Sequence, residues 1–191
     1  MHRFDPAHLH RLFGPERDTW LHPQQVLDAL RLRPGLNVVD FGSGPGYFTL
    51  PIAQRVGPGG TVFALDVEPA MLEALEQRAQ AAAVSNIAAI LTDAQSIPLP
   101  DETADRALLS LVLHEVPDRS PLLAEVRRLL KPQGTLVVVE WQPWQTEHGP
   151  APDERLAPER LADELNRHGL VQVSSAPLGD NCYIVAAQRS L

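Results

Sequence analysis

The sequence predicts a doubly wound α/β domain: a seven-stranded, mostly parallel sheet with an antiparallel hairpin at its C-terminal edge. Three observations carry this. Five short segments are apolar throughout rather than alternating, as strands covered on both faces must be. Stretches with helical apolar spacing lie between most of them, and that alternation implies parallel crossovers. The last two strand-like segments have no helix between them, which calls for an antiparallel pair. A chain of 191 residues with 44% hydrophobic and 21% charged residues fits one domain with a full core. Neither an internal repeat nor a second domain is visible, so residues 1–34 read as a helical segment packed on a core of 35–191.

The elements follow in order. Residues 36–41 are short and β-branched and follow Pro34-Gly35, so they form the first strand. Residues 46–55 then read as a helix. The second strand is 61–65, closed by Asp66; Pro69 suits a first helical turn, and Met71, Leu72, Leu75 and Ala79 extend an apolar face to about residue 83. Strands three and four fall at 86–91 and 107–113. Ser120-Pro121 opens a helix with Leu122, Leu123, Val126 and Leu130 inward, stopped by Lys131-Pro-Gln-Gly134. Residues 135–141 make strand five. A Pro-rich stretch, 143–158, leads to a helix over 159–168, and strands at 171–174 and 183–187 end the fold.

Composition narrows the function. A net charge of −8 disfavours a nucleic-acid substrate, which usually meets a basic stripe; the adjacent pair Arg127-Arg128 is no such stripe. The single cysteine, Cys182, rules out a disulfide within the chain and suits a reducing compartment. The N-terminus lacks a signal-peptide pattern and no apolar run is long enough to span a bilayer, so a cytoplasmic protein is expected.

The strongest motif is Val38-Val-Asp-Phe-Gly-Ser-Gly-Pro-Gly-Tyr47, between the first strand and first helix. Gly42, Gly44 and Gly46 let backbone approach a ligand and aim helix N–H groups at it. Asp66 ends the second strand, where an acidic side chain can accept bonds from ribose hydroxyls. A nucleoside-type cofactor follows. The spacing is G-x-G-x-G, with Tyr47 where the third dinucleotide glycine would fall. Asp40, just ahead of the turn, would repel a pyrophosphate but favour the ammonium and sulfonium of S-adenosylmethionine. A nicotinamide-dependent oxidoreductase, or a protein that binds S-adenosylmethionine without catalysis, stays open as an alternative.

On these residues the sequence resembles the class I S-adenosylmethionine-dependent methyltransferases, and more narrowly the small branch related to quinone-biosynthesis and arsenite enzymes. The resemblance runs from about residue 4 to 187. It implies a Rossmann-like fold and transfer of a methyl group to a small-molecule acceptor. By the same resemblance the cofactor site comprises Asp40, Gly42, Ser43, Gly44 and Gly46, with Asp66 on the ribose and Val67 and Met71 against adenine. Asp93 would meet the adenine amino group and Ala94 N–H a ring nitrogen. Residues 109–118 and 130–136 match two further motifs, with Gln133 in place of a common glycine. Arsenic is excluded as acceptor, because one thiol cannot hold the metalloid. In such proteins the N-terminal segment closes over the cofactor.

Each residue also has a plainer reading. Asp66 and Asp93 are good turn or helix caps, and Asp40 can be a solvated strand end. His114 and Glu115 follow strand four, where this fold presents groups to the reacting methyl. His114 is the candidate general base, while Glu115 and Asp118 can simply cap the next helix. Trp141 and Trp144 either wall the acceptor or pack an edge. His2, His8 and His10 lack the partners a metal site needs, so none is expected.

Overall fold

The computed structural model describes residues 12–93 and 96–191. Its elements are α1 (Pro15–Leu21), α2 (Pro23–Ala29), β1 (Val38–Phe41), α3 (Thr49–Val56), β2 (Val62–Asp66), α4 (Pro69–Ala81) and β3 (Ile87–Leu91), followed by β4 (Ala104–Ser110), α5 (Ser120–Leu129), β5 (Leu130–Trp141), α6 (Pro158–Arg167), β6 (Leu170–Leu178) and β7 (Cys182–Arg189). The strands form one seven-stranded sheet in the order β3-β2-β1-β4-β5-β7-β6. β1 to β5 are parallel, and β7 runs antiparallel to both β5 and β6. The doubly wound Rossmann-like sheet and the C-terminal hairpin expected from the sequence are both present.

The reason the strands lack alternation is visible residue by residue. Val38, Leu108, Val137 and Val139 pack on one face with Leu21, Val26, Leu30, Ile52 and Val56 from α1, α2, α3 and the residues beside them. Their neighbours Val39, Leu109 and Val138 pack on the other with Leu123, Val126, Leu161 and Leu165 of α5 and α6. Both pleats therefore demand apolar side chains. α4 adds Leu72 and Leu75 against Ala64 and Leu50. Among the described residues no helix is long and apolar enough to cross a membrane.

Several boundaries differ from expectation. The helix after β1, α3, starts at Thr49 rather than residue 46, because the glycine turn occupies the preceding residues. β4 spans Ala104–Ser110, and residues 113–115 form a separate 3₁₀ turn. β5 begins at Leu130: the segment expected to be only a turn continues the strand through an irregular register, Ala104 opposing Leu130 and Arg106 opposing Thr135. Both hairpin strands extend beyond their apolar kernels, through exposed residues such as Ser174 and Ser175.

Gln133, the residue standing where the resemblance implied glycine, has φ +63° and is exposed. A side chain in the left-handed region costs about 1–2 kcal/mol relative to glycine. Gln133→Gly is therefore expected to be stabilising by about 1 kcal/mol and to raise the thermal midpoint by roughly 2–4 °C, measured by calorimetric unfolding.

Candidate functional site

The strand order reverses between β1 and β4, and a crevice opens at the carboxyl ends of strands on either side of such a reversal. Three chain segments meet there. The turn after β1 is pinned by Ser43 N donating to Leu65 O at 2.9 Å and Gly46 N to Ser43 O at 3.0 Å. Its glycines have different jobs. Gly46, at φ +84°, has no room for a methyl group, which would collide with Leu75 and Leu50. Gly44, at φ +52°, has nothing within 4 Å of where a Cβ would stand. Gly46 serves packing, and Gly44 leaves one side of the backbone clear. Gly42 is exposed, and a Cβ on it would stand 2.5 Å from Val112 Cγ2, so the turn after β1 lies directly beside the segment after β4.

Asp66 ends β2 and bridges two backbones. Its Oδ2 accepts from Gly44 N at 2.8 Å and its Oδ1 from Glu68 N at 3.0 Å. Burial pushes its pKa up, against the opposing pull of the N–H groups of Glu68, Gly44 and Val67. The Glu68 bond is a turn bond ahead of α4, whose N-cap residue Glu68 makes no side-chain cap of its own. Val67 beside Asp66 is 45% exposed, whereas Met71 is buried, one turn into α4. Thr92 N reaches Asp66 O at 3.0 Å, which brings the end of β3 alongside. Asp93 is exposed and its Oδ1 accepts from Ser96 N at 3.3 Å, the turn-capping geometry. Ala94 lies outside the described residues.

Asp40 is not a solvated strand end. It is buried, its Oδ2 accepting from Thr49 Oγ1 at 2.6 Å. Burial pushes its pKa up to about 7, the Thr49 bond opposing and the nearby Asp66 charge assisting. Thr49 carried no signal in the sequence. Ser43 Oγ is buried with no hydrogen-bond partner among the described residues. An orphaned hydroxyl, a clear glycine face and two carboxyl groups fit a polar, cation-bearing adenosine ligand.

A second cluster sits at the ends of β4 and β5. Glu140 is fully buried; its Oε2 lies 2.8 Å from His114 Nδ1, and its Oε1 accepts from His114 N at 3.2 Å. Burial would lower the His114 pKa, but the Glu140 hydrogen bond and the charges of Glu140, Glu115 and Glu154 outweigh it, leaving a net rise. Asp118 Oδ1 accepts from Ser120 N at 3.1 Å, a turn bond just ahead of α5, whose N-cap residue Arg119 makes no side-chain cap. The two tryptophans part company. Trp141 is buried and stacks on Trp20 of α1 at 5.2 Å, while Trp144 is 58% exposed. The Arg17 guanidinium lies 5.4 Å from the Trp20 ring centre and 5.1 Å from that of Tyr47, joining α1 to the glycine turn. Arg155 gathers the loop after β5, donating to the carbonyls of Gln142, Trp144, His148 and Pro150. Cys182 is fully buried beside Trp141, its thiol pushed up to about 12 by burial. His2, His8 and His10 lie outside the described residues.

The sequence reading missed Glu140 as the partner of His114. A lone acidic residue inside an otherwise apolar strand end was the available signal. Arg17 and Arg155 left none, since both act through backbone and ring contacts that only folding assembles.

The fold and this crevice define a class I Rossmann-like nucleoside-cofactor domain. Residues 39–138 match the family model described as "Methyltransferase domain", and the chain belongs to that family. The chain is 32% identical over 117 residues to a demethylmenaquinone methyltransferase of Geobacillus sp. (strain WCH70), covering 61% of this chain and 50% of that protein. It is 34% identical over 117 residues to a ubiquinone/menaquinone biosynthesis C-methyltransferase of Pasteurella multocida, covering 61% and 44%. The chain thus spans about half the length of the curated relatives it matches. A crystal structure of a SAM-dependent methyltransferase from Aquifex aeolicus superposes with a TM-score of 0.91 at 28% identity, covering 98% of this chain and 100% of that one.

The burial of Asp40 sets a pH dependence. Unfolded, this carboxyl titrates near 3.8, and folded near 7, so between those values the folded state holds a proton that the unfolded chain has released. The stability it contributes is complete below the lower value and declines by about 1.4 kcal/mol per pH unit toward the higher. Asp40→Asn, which keeps an acceptor for Thr49, is expected to melt above the wild type at pH 8 and to lose that advantage at pH 4. Thermal unfolding across this range checks it.

Proposed function

We propose that the protein transfers the methyl group of S-adenosylmethionine to a small-molecule acceptor. The observation that carries this is the joint presence of the clear Gly44 backbone face and the Asp66 carboxyl group within one hydrogen bond of each other. Asp40, Gly42, Ser43, Gly44, Gly46, Asp66, Val67, Met71, Asp93 and Ala94 are the residues that would hold the cofactor. When bound, it supplies a sulfonium-activated methyl group. Asp66 accepts from hydroxyl donors, and Ser43 Oγ offers the unused hydrogen bond. Asp40, when ionised, faces cationic groups with a charge that the low local dielectric amplifies.

What remains for the protein is to orient the acceptor and exclude water. The N-terminal segment before β1 is the part of the single domain that would close over the site; its described residues meet the core through Leu21, Val26 and Leu30 and through Trp20 stacked on Trp141. His114, in the 3₁₀ turn after β4, takes the role of general base for acceptors that carry a proton. The quinone-directed relatives and the acidic charge support a small molecule over a nucleic acid, and a reduced, buried cysteine supports the cytoplasm as its compartment.

Titration calorimetry with S-adenosylmethionine and S-adenosylhomocysteine tests the proposal, and no heat of binding at millimolar ligand would end it. Asp66→Ala removes one or two charge-assisted bonds of about 1.5–3 kcal/mol each, so affinity is expected to fall at least tenfold. Unchanged affinity would take Asp66 out of the site.

A further inference from the structure

The pair His114 and Glu140 is built more carefully than a helix cap requires. Glu140 contacts the histidine twice, at the backbone N–H and at Nδ1. It comes from the end of β5, a neighbour of the strand that delivers His114. Holding a ring by Nδ1 and its own backbone fixes both its rotamer and its tautomer: Nδ1 carries the hydrogen, and Nε2 presents a lone pair. No hydrogen bond to Nε2 is found among the described residues; the nearest ion-pair partner at that nitrogen is Glu115 Oε1, at 3.9 Å. The histidine ring stands edge-on to Trp141 at 6.4 Å, and Trp141 continues into the Trp20 stack. The ring that carries this nitrogen therefore lies near the buried Trp141 indole, on which Trp20 stacks, and two residues from the Val112 side chain that abuts Gly42.

Building on the methyl-transfer reading above, we infer that Glu140 positions His114 as a general base and that the acceptor is a flat, hydroxyl-bearing compound of phenol or enol acidity. The chemistry selects that class. A thiol supplies enough thiolate near neutral pH to react unaided, so it needs no such pair. An imidazole matches a hydroxyl that ionises near about 10, as a tyrosine-like phenol does, far better than an alkyl alcohol. In the step, the hydroxyl proton passes to His114 Nε2. The electron pair left on oxygen forms the bond to the methyl carbon, and the pair of the breaking carbon–sulfur bond returns to sulfur, which becomes a neutral thioether. The imidazolium so formed is stabilised by Glu140 and gives its proton to solvent as product leaves.

The charged groups facing His114 are Glu140 from β5, Glu115 on its own turn and Glu154 from the 3₁₀ turn Pro152–Glu154. All three are acidic and favour the protonated ring. The free base is consequently reached only above the ordinary histidine value, and activity should rise with pH through that higher midpoint.

The test uses ¹⁵N-histidine NMR on the protein alone, together with transfer from methyl-labelled S-adenosylmethionine to 2-naphthol and catechol, with butylamine and butanethiol as comparators. The His114 midpoint is expected above 6.5 in the wild type. It should fall in Glu140→Gln and stay raised in Glu140→Asp. The rising limb of kcat should track the NMR midpoint in every variant. His114→Ala should lose at least a hundredfold in kcat on the phenols, with calorimetric affinity for S-adenosylmethionine unchanged. An unmoved midpoint in Glu140→Gln, full activity in His114→Ala, or labelling of no phenol would overturn the inference while leaving the methyl-transfer reading intact. Absence of S-adenosylmethionine binding in the wild type would bring down both.

Discussion

The hydrogen bond from Gly44 N to the Asp66 carboxyl group is the tie on which the rest of the site depends. β1 is too short, at four residues, to place anything by itself. Its turn acquires a fixed shape because β2 sits alongside in register and sends Asp66 back to the glycine backbone. Leu75 and Leu50 close the other side of the turn against Gly46. The crevice is thus held from above by a carboxyl group and from below by packing. The carboxyl group fixes one peptide of the turn and the packing fixes its approach to α3.

Ionisable groups are placed where stability alone would not put them. Asp40 and Glu140 end two strands of the parallel sheet and are buried at 2% and 0% exposure. Asp40 keeps its proton until about pH 7, and Glu140 shares its site with an imidazole. Burying such groups opposes folding unless they are paired, and the pairing here is sparse: one threonine hydroxyl, one histidine and a few backbone N–H groups. The cost falls at the carboxyl ends of the strands, beside the reversal in strand order. That is the end of the sheet where chemistry belongs.

Above this layer lies an aromatic and cationic cover. Trp20 stacks on Trp141, His148 lies 5.0 Å from Trp20, and Arg17 spans Trp20 and Tyr47. Arg155 organises the loop beneath through four carbonyls and the Thr146 hydroxyl rather than through a carboxylate. Ring stacking and carbonyl bonding let a segment lie close without locking it by charge.

The sequence alone determined the sheet class, the strand count, the glycine turn, Asp66 and the position of His114. These rest on local causes: apolar periodicity reports two-sided burial, and a G-x-G-x-G turn after a strand has few other uses. Tertiary structure decided what long-range pairing decides. It turned Asp40 from a plausible surface carboxylate into a buried one with Thr49, although the two lie nine residues apart. It joined His114 to Glu140 across 26 positions of sequence, and Trp141 at the end of β5 to Trp20 of α1. It extended β5 back to Leu130 by pairing with β4, overriding a turn signal. Local chemistry writes the elements, but the partner of a side chain depends on which strands become neighbours, and that is a property of the folded sheet.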